Sequence, residues 1–238
     1  MSNNYFQFKQ FTIQQENCAM KVTTDACLFG AWSAAICRHL SANSILDIGT
    51  GTGLLSLMLA QKTNAIIHAI EVDENAITQA QQNFQKSCWN NRLQIHHSSI
   101  QLFTQKNNSQ FDFVIINPPF YQHDLKSSNK QKNMAHHSTL LSLEELINCI
   151  KKLLHSKSYF SILLPYARAD YFLQLAKDFY LVERVNVKQT PNHTYFRTML
   201  LFGMQPSIVI EKNIIIKQSE KKYSFEFTEL LKNYYLYL

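Results

Sequence analysis

Glycine and proline are scarce, at five residues each in a chain of 238. That scarcity excludes collagen-like and low-complexity architectures, and with 46% apolar residues it marks a compact globular chain. Cysteines are few and unpaired: Cys18, Cys27, Cys37, Cys88 and Cys149 are widely spaced and include no C-x-x-C pair. A disulfide framework and a zinc site are both disfavoured, so no metal is expected. No stretch of eighteen apolar residues occurs, and Met1-Ser2-Asn3-Asn4 is not a basic region leading into an apolar core. The expectation is a soluble cytoplasmic protein with no membrane partner. Neither a linker nor a repeat is visible, so residues 1–238 read as one domain. Positive charge is what the chain has in excess, a formal +6, which suits a polyanionic partner.

Three of the five glycines fall within Gly49-Thr50-Gly51-Thr52-Gly53. The apolar strand Ser44-Ile45-Leu46-Asp47-Ile48 runs into this loop, and Leu54 to Gln61 continues as a helix. Strand, glycine loop and helix together hold a nucleotide-type ligand over a parallel sheet edge. A dinucleotide fingerprint needs glycine where Leu54 stands, so NAD is disfavoured. Asp47, an acid at the loop, would repel a pyrophosphate and attract the ammonium and sulfonium groups of S-adenosylmethionine. The next strand, Ala65 to Ile70, ends at Glu71, about 20 residues beyond the loop, where an acid can accept from ribose hydroxyls. Asp73 or Glu74 then caps a polar helix.

The run Phe111-Asp112-Phe113-Val114-Ile115-Ile116 reads as a buried strand stopped by Asn117-Pro118-Pro119-Phe120. Such a rim suits methyl transfer to the nitrogen of a planar amine, whose lone pair is delocalised. The Asn117 side-chain oxygen and the Pro118 carbonyl each accept one N–H, aiming the lone pair at an electrophile, while Phe120 stacks on the flat substrate. Asn-Pro-Pro is also a common turn after a strand, so the tetrapeptide carries this reading only together with the glycine loop.

The paired His96-His97 and His136-His137 project in opposite directions if extended and have no further ligands at metal spacing. The loop 121–137, with Lys126, Lys130 and Lys132, reads as a solvated loop and as a lid that clamps substrate phosphates. Tyr5 to Ile13 predicts short strands or a hairpin, and Ala26 to Leu40 a helix capped by Thr24 or Asp25. After residue 142, helices and strands alternate: Leu143 to Leu154, Tyr159 to Leu164, Ala167 to Phe179, Leu181 to Val187 and Phe196 to Phe202. A tail adds a strand at Ile214 to Ile216 and an aromatic helix. The order predicts a mostly parallel sheet covered on both faces, with an antiparallel pair at one edge.

In this order the motifs resemble the S-adenosylmethionine-dependent methyltransferases of the Rossmann-like class. Within it the chain is similar to the bacterial tRNA1(Val) (adenine(37)-N6)-methyltransferases. The resemblance rests on Phe8-Lys9-Gln10-Phe11, Cys18-Ala19-Met20-Lys21-Val22, Thr24-Asp25, Leu28 with Gly30-Ala31-Trp32, and Leu46-Asp47-Ile48-Gly49 with Gly51 and Gly53. It rests also on Leu57 to Gln61, Asn117-Pro118-Pro119 with Tyr121-Gln122, Arg197 and Tyr223-Ser224. The resemblance implies an α/β, Rossmann-like doubly wound, mostly parallel seven-stranded sheet with an antiparallel edge pair. Short additions are implied at residues 1–25 and 204–238.

It also implies S-adenosylmethionine as cofactor, held by Lys21, Thr24, Asp25, Asp47, Gly49, Gly51, Gly53, Glu71, Val72, Ser99 and Asn117. The substrate it implies is the anticodon loop of a tRNA, gripped by Lys126, Lys130, Lys132 and Arg197, with no obligate protein partner. Asn117, Pro118, Pro119 and Phe120 carry the chemistry. Two positions depart from the pattern: Ser99 stands where relatives place an acid for the cofactor adenine, and Phe120 stands where the nearest relatives have tyrosine. Asn-Pro-Pro-Phe also occurs in ribosomal RNA guanine-N2 methyltransferases, and Asn-Pro-Pro-Tyr in protein-glutamine methyltransferases.

Overall fold

In the computed structural model, which describes residues 3–16, 18, 20–118 and 141–238, the chain opens with the expected hairpin, β1 (Tyr5–Gln7) and β2 (Thr12–Gln14). Helix α1 (Thr24–His39) follows, and its N-cap is Thr23, just ahead of the expected Thr24 or Asp25. The Thr23 hydroxyl accepts from the Ala26 amide, which leaves Asp25 in the first turn, free to project its carboxylate. Then come β3 (Ser44–Ile48), α2 (Leu54–Ala60), β4 (Ile66–Glu71), α3 (Glu74–Gln85), β5 (Leu93–His97), α4 (Ile100–Lys106) and β6 (Phe111–Ile116).

Next among the described residues, α5 (Leu143–Leu153) starts with a reciprocal cap between Ser142 and Glu145. It leads into β7 (Leu154–Pro165), α6 (Tyr166–Leu175), β8 (Tyr180–Lys188), β9 (Tyr195–Gly203) and β10 (Ile210–Ile215). A small hairpin, β11 (Lys217–Ser219) with β12 (Lys222–Tyr223), and α7 (Phe225–Leu231) complete the elements. The aromatic tail forms a shorter helix than expected; Tyr234 and Tyr235 pack as side chains beyond its end.

The main sheet has eight strands in the order β10-β8-β9-β7-β6-β3-β4-β5, one more than the expected seven. The extra strand is β10, which adds to β8 in parallel. The reversed strand, β9, lies between β7 and β8 and is antiparallel to both. One apolar layer, built on α1, α2, α7 and the N-terminal hairpin, covers one face; α4, α5 and α6 cover the other. Strands β3 and β6, buried at all but one position each, sit between these layers and are rich in Ile, Leu, Val and Phe, as a doubly covered sheet requires. No helix among the described residues is long and apolar enough to cross a membrane.

The chain runs from β3 outward through β4 to β5, then returns to place β6 on the other side of β3. That reversal is the switch point at which open α/β sheets bind ligands. In the β3–β6 register Ile48 faces Ile116, so the loop beginning at Gly49 and the rim beginning at Asn117 leave adjacent strands side by side. Pro119, Phe120, Lys126, Lys130 and Lys132 lie outside the described residues.

Candidate active site

Gly49, Gly51 and Gly53 all take left-handed φ values of 71°, 55° and 82°, a conformation that other residues adopt only with strain. The Gly49 and Thr50 amides both donate to the Ile70 carbonyl, which fixes the loop to β4. A Cβ on Gly49 or Gly51 would meet nothing within 4 Å, whereas one on Gly53 would stand 2.5 Å from Cε1 of Phe84. The first two glycines therefore face open space, and the third allows α3 to pack close.

Asp47 lies beneath this loop and is fully buried. Its Oδ2 accepts from Thr50 Oγ1 at 2.6 Å, Ser56 Oγ at 2.7 Å and the Ser56 amide at 3.1 Å. Its Oδ1 is buried with no hydrogen-bond partner among the described residues. Burial pushes the carboxyl up to about 6, against the pull of the Thr50 and Ser56 hydrogen bonds. One oxygen shapes the loop, and the other has no donor among the described residues.

Glu71 stands at the end of β4 with both oxygens on main-chain amides. Oε2 accepts from Gly51 at 2.9 Å, and Oε1 accepts from Val72 at 2.8 Å and Asp73 at 3.1 Å. A carboxylate has about four acceptor sites, so one remains for a hydroxyl. Val72 is 62% exposed beside it. Asp73 caps α3, as the sequence suggested. Ser99 caps α4, its hydroxyl accepting from the Leu102 amide at 3.2 Å, which commits the acceptor side of the hydroxyl expected to face adenine. His96 and His97 do diverge: one meets His68 at 3.1 Å and the other the Val72 carbonyl at 3.1 Å. Among the described residues no group of three or more His, Cys, Asp or Glu could hold a metal ion.

The N-terminal segment closes over this region through contacts that local pattern did not reveal. Asn83 of α3, 1% exposed, donates from Nδ2 to the carbonyls of Gln14 at 2.9 Å and Thr52 at 2.8 Å, and its Oδ1 accepts from the Gln14 amide at 2.9 Å. One side chain thus clamps strand β2 to the glycine loop. Buried Gln15 accepts from the Val22 amide at 2.8 Å, holding the stretch that carries Lys21. The Cys18 thiol is pushed up to about 11, by burial first and then by the charges of Asp73 and Glu71.

At the opposite flank Asp25 pairs with Arg197 of β9. Arg197 was expected among the RNA-gripping residues; its Nε donates to the Asp25 carboxylate at 2.7 Å. Asn117, at the end of β6, has a buried side-chain oxygen without a hydrogen-bond partner among the described residues. A buried amide oxygen left unpaired is costly, and this one lies at a strand end beside the glycine loop. The structure brings together Asp47, the three glycines, Glu71 and Asn117 at one switch point. The orphaned Asp47 oxygen, the open glycine faces and the spare Glu71 site fit S-adenosylmethionine, with its ammonium group and ribose hydroxyls.

The architecture is that of the Rossmann-like methyltransferases. A crystal structure described as a predicted O-methyltransferase from Agrobacterium tumefaciens superposes with a TM-score of 0.68 at 13% identity, covering 87% of this chain and 95% of that one. The O-methyltransferase TomG from Streptomyces achromogenes, in complex with S-adenosylmethionine, matches with a TM-score of 0.53 at 14% identity over 78% of this chain and 82% of that one. Residues 31–146 match the model of the methyltransferase small domain. The tRNA1(Val) (adenine(37)-N6)-methyltransferase of Pseudoalteromonas translucida is 45% identical over 97% of this chain and 98% of its own length. That of Cytophaga hutchinsonii is 39% identical over the whole of both chains. The chain belongs to the tRNA1(Val) (adenine(37)-N6)-methyltransferase family.

Proposed function

We propose that this chain, acting in the cytoplasm, methylates N6 of adenine 37 in the anticodon loop of tRNA1(Val). The observation that carries the target assignment is near full-length likeness, at 45% identity, to a relative named for that activity. The buried Asn117 oxygen, without a hydrogen-bond partner among the described residues, supports the chemistry. S-adenosylmethionine, when bound, supplies a methyl group on a cationic sulfur. Gly49, Gly51, Glu71, Val72 and the Asp47 oxygen would hold it, with Lys21, Thr24 and Asp25 at its methionine end and Ser99 toward its adenine.

The residues of this chain act on the amine. The Asn117 oxygen accepts one N–H and the Pro118 carbonyl the other, which draws the nitrogen away from planarity and aims its lone pair along the line of transfer. Proline suits the second role because its φ is fixed and it has no amide proton to compete. Phe120 and Pro119 complete this reading of the rim, with the ring stacked on the flipped base. No general base is needed, because the neutral amine attacks and loses its proton afterwards. Orientation and preorganised acceptors supply most of the acceleration.

The test is transfer of labelled methyl to total RNA from cells lacking the modification, followed by nucleoside analysis. N6-methyladenosine confined to one tRNA supports the reading. N2-methylguanosine in ribosomal RNA, or label in protein only, overturns the substrate.

A further inference from the structure

Two strands beyond β6 the same sheet edge gathers an aromatic and basic group that the chemistry above does not use. Strands β7 and β8 run parallel to β6 and end at Pro165 and Lys188; reversed β9 begins there, at Tyr195. Opposite Ile116 stands Ile162, so Tyr166 lies about three residues, roughly 10 Å, past the level of Asn117. The rings of Tyr166 and Tyr195 stack with centroids 5.1 Å apart at 30°. Lys188 Nζ sits 4.7 Å from the centre of Tyr195, and the Arg184 guanidinium carbon 5.9 Å from that of Tyr166. The unit is a cation, two rings and a second cation in sequence.

Its charges are unequal in availability. Arg184 is held by Asp170 at 2.9 Å, the carboxylate that faces this group. Lys188 makes no salt bridge among the described residues. Tyr166 remains 37% exposed, and residues Pro191 to Thr194, which lead into Tyr195, are exposed as well. The hairpin β11–β12, with exposed Lys221 and Lys222, is tied to this corner where the Ile216 and Lys217 amides donate to the carbonyls of Lys188 and Gln189. Apolar side chains alone would close strand ends. Rings backed by cations instead give a surface for bases and phosphates, tolerant of sequence.

We propose that the Tyr166–Tyr195 stack with Lys188 is a docking platform for the anticodon stem-loop of the tRNA. This rests on the function proposed above. Unstacked loop nucleotides near the target lie on the tyrosine rings, Lys188 meets a phosphate between them, and Lys221 and Lys222 take phosphates further along the stem.

The experiment measures binding of unmodified tRNA1(Val) transcript to the full chain and to Tyr195→Ala, Tyr195→Phe and Lys188→Ala, over a range of salt. S-adenosylmethionine affinity by calorimetry is measured on each protein. Tyr195→Ala is expected to weaken tRNA binding roughly tenfold and Tyr195→Phe to restore it, because the ring is what stacks. Lys188→Ala is expected to flatten the dependence of log affinity on log salt by about one. S-adenosylmethionine affinity stays at the wild-type value in all three. If the wild type binds and both alanine variants bind equally well, the platform is overturned while the function stands. If cofactor and tRNA affinity fall together, the stack is structural and the proposal is overturned. If the wild type does not bind this tRNA, the function and the platform fall together.

Discussion

Arg197 donates from Nε to Asp25 Oδ2 at 2.7 Å, joining the start of β9 to the first turn of α1, with the two side chains only 25% and 13% exposed. An ion pair this sheltered positions the Asp25 carboxylate and leaves the guanidinium little freedom to seek phosphates. Removing the arginine strands a part-buried charge. Arg197→Ala is expected to cost about 1–3 kcal/mol in a melting experiment and to weaken S-adenosylmethionine binding. The salt dependence of tRNA binding should keep its slope; a shallower slope would make Arg197 an RNA contact after all.

Asn117→Ala removes the side-chain acceptor at the end of β6 without touching the glycine loop. Turnover is expected to fall about 100-fold or more, while cofactor affinity, read by calorimetry, stays close to that of the wild type. A variant that lost cofactor binding in proportion to turnover would place Asn117 in binding rather than in the chemical step.

Asp47 makes a pH-dependent contribution whose sign is opposite for folding and for ligand binding. Its folded value of about 6 lies above the ordinary carboxylate value. Between the two, the folded chain keeps a proton that the unfolded chain has released. Stability from this group is present at low pH and declines by roughly 3 kcal/mol as pH rises through that window. A cationic ligand group beside Oδ1 favours the carboxylate, so S-adenosylmethionine affinity is expected to rise on the order of tenfold between about pH 5 and pH 7. Asp47→Asn should abolish that rise. Unfolding measurements at several pH values check the stability statement, and titration calorimetry at the same pH values checks the affinity statement.

The three loop glycines separate into two kinds. Gly53→Ala meets the Phe84 ring at 2.5 Å in addition to its φ of 82°, so the expected loss is about 2 kcal/mol or more of stability. Gly49→Ala and Gly51→Ala meet only open space and carry the left-handed strain alone, about 1–2 kcal/mol each. Those two are expected to lose cofactor affinity out of proportion to their melting temperatures. Parallel melting and binding measurements on the three variants distinguish the cases.

Much of this arrangement was legible from local pattern. Ser44 to Ile48, the glycine loop and Glu71 each announce themselves within a few residues, because strand burial, left-handed turns and strand-end acids have short-range signatures. Asn117 was legible for the same reason. The contacts that complete the site were not, since Asn83 reaches Gln14 across 69 positions and Arg197 reaches Asp25 across 172. Neither residue type nor spacing marks such a pair. The helix cap moved to Thr23 because a threonine run offers several hydroxyls and only backbone geometry selects one. The tail strand expected at Ile214 to Ile216 begins earlier, at Ile210, and its place as the eighth strand was not legible for a different reason: residues 210–213 are exposed at a sheet edge and lack the apolar alternation of a buried strand.

The clamp made by Asn83 gives the N-terminal hairpin and the glycine loop a shared thermodynamic fate. Because the same amide group bonds Gln14 and Thr52, the hairpin cannot detach without breaking a support of the loop. Reciprocity then applies: whatever free energy a docked hairpin adds to cofactor binding, bound cofactor returns to the hairpin. In deuterated solvent this is visible at one atom, the Gln14 amide hydrogen, whose exchange should slow as the glycine loop fills.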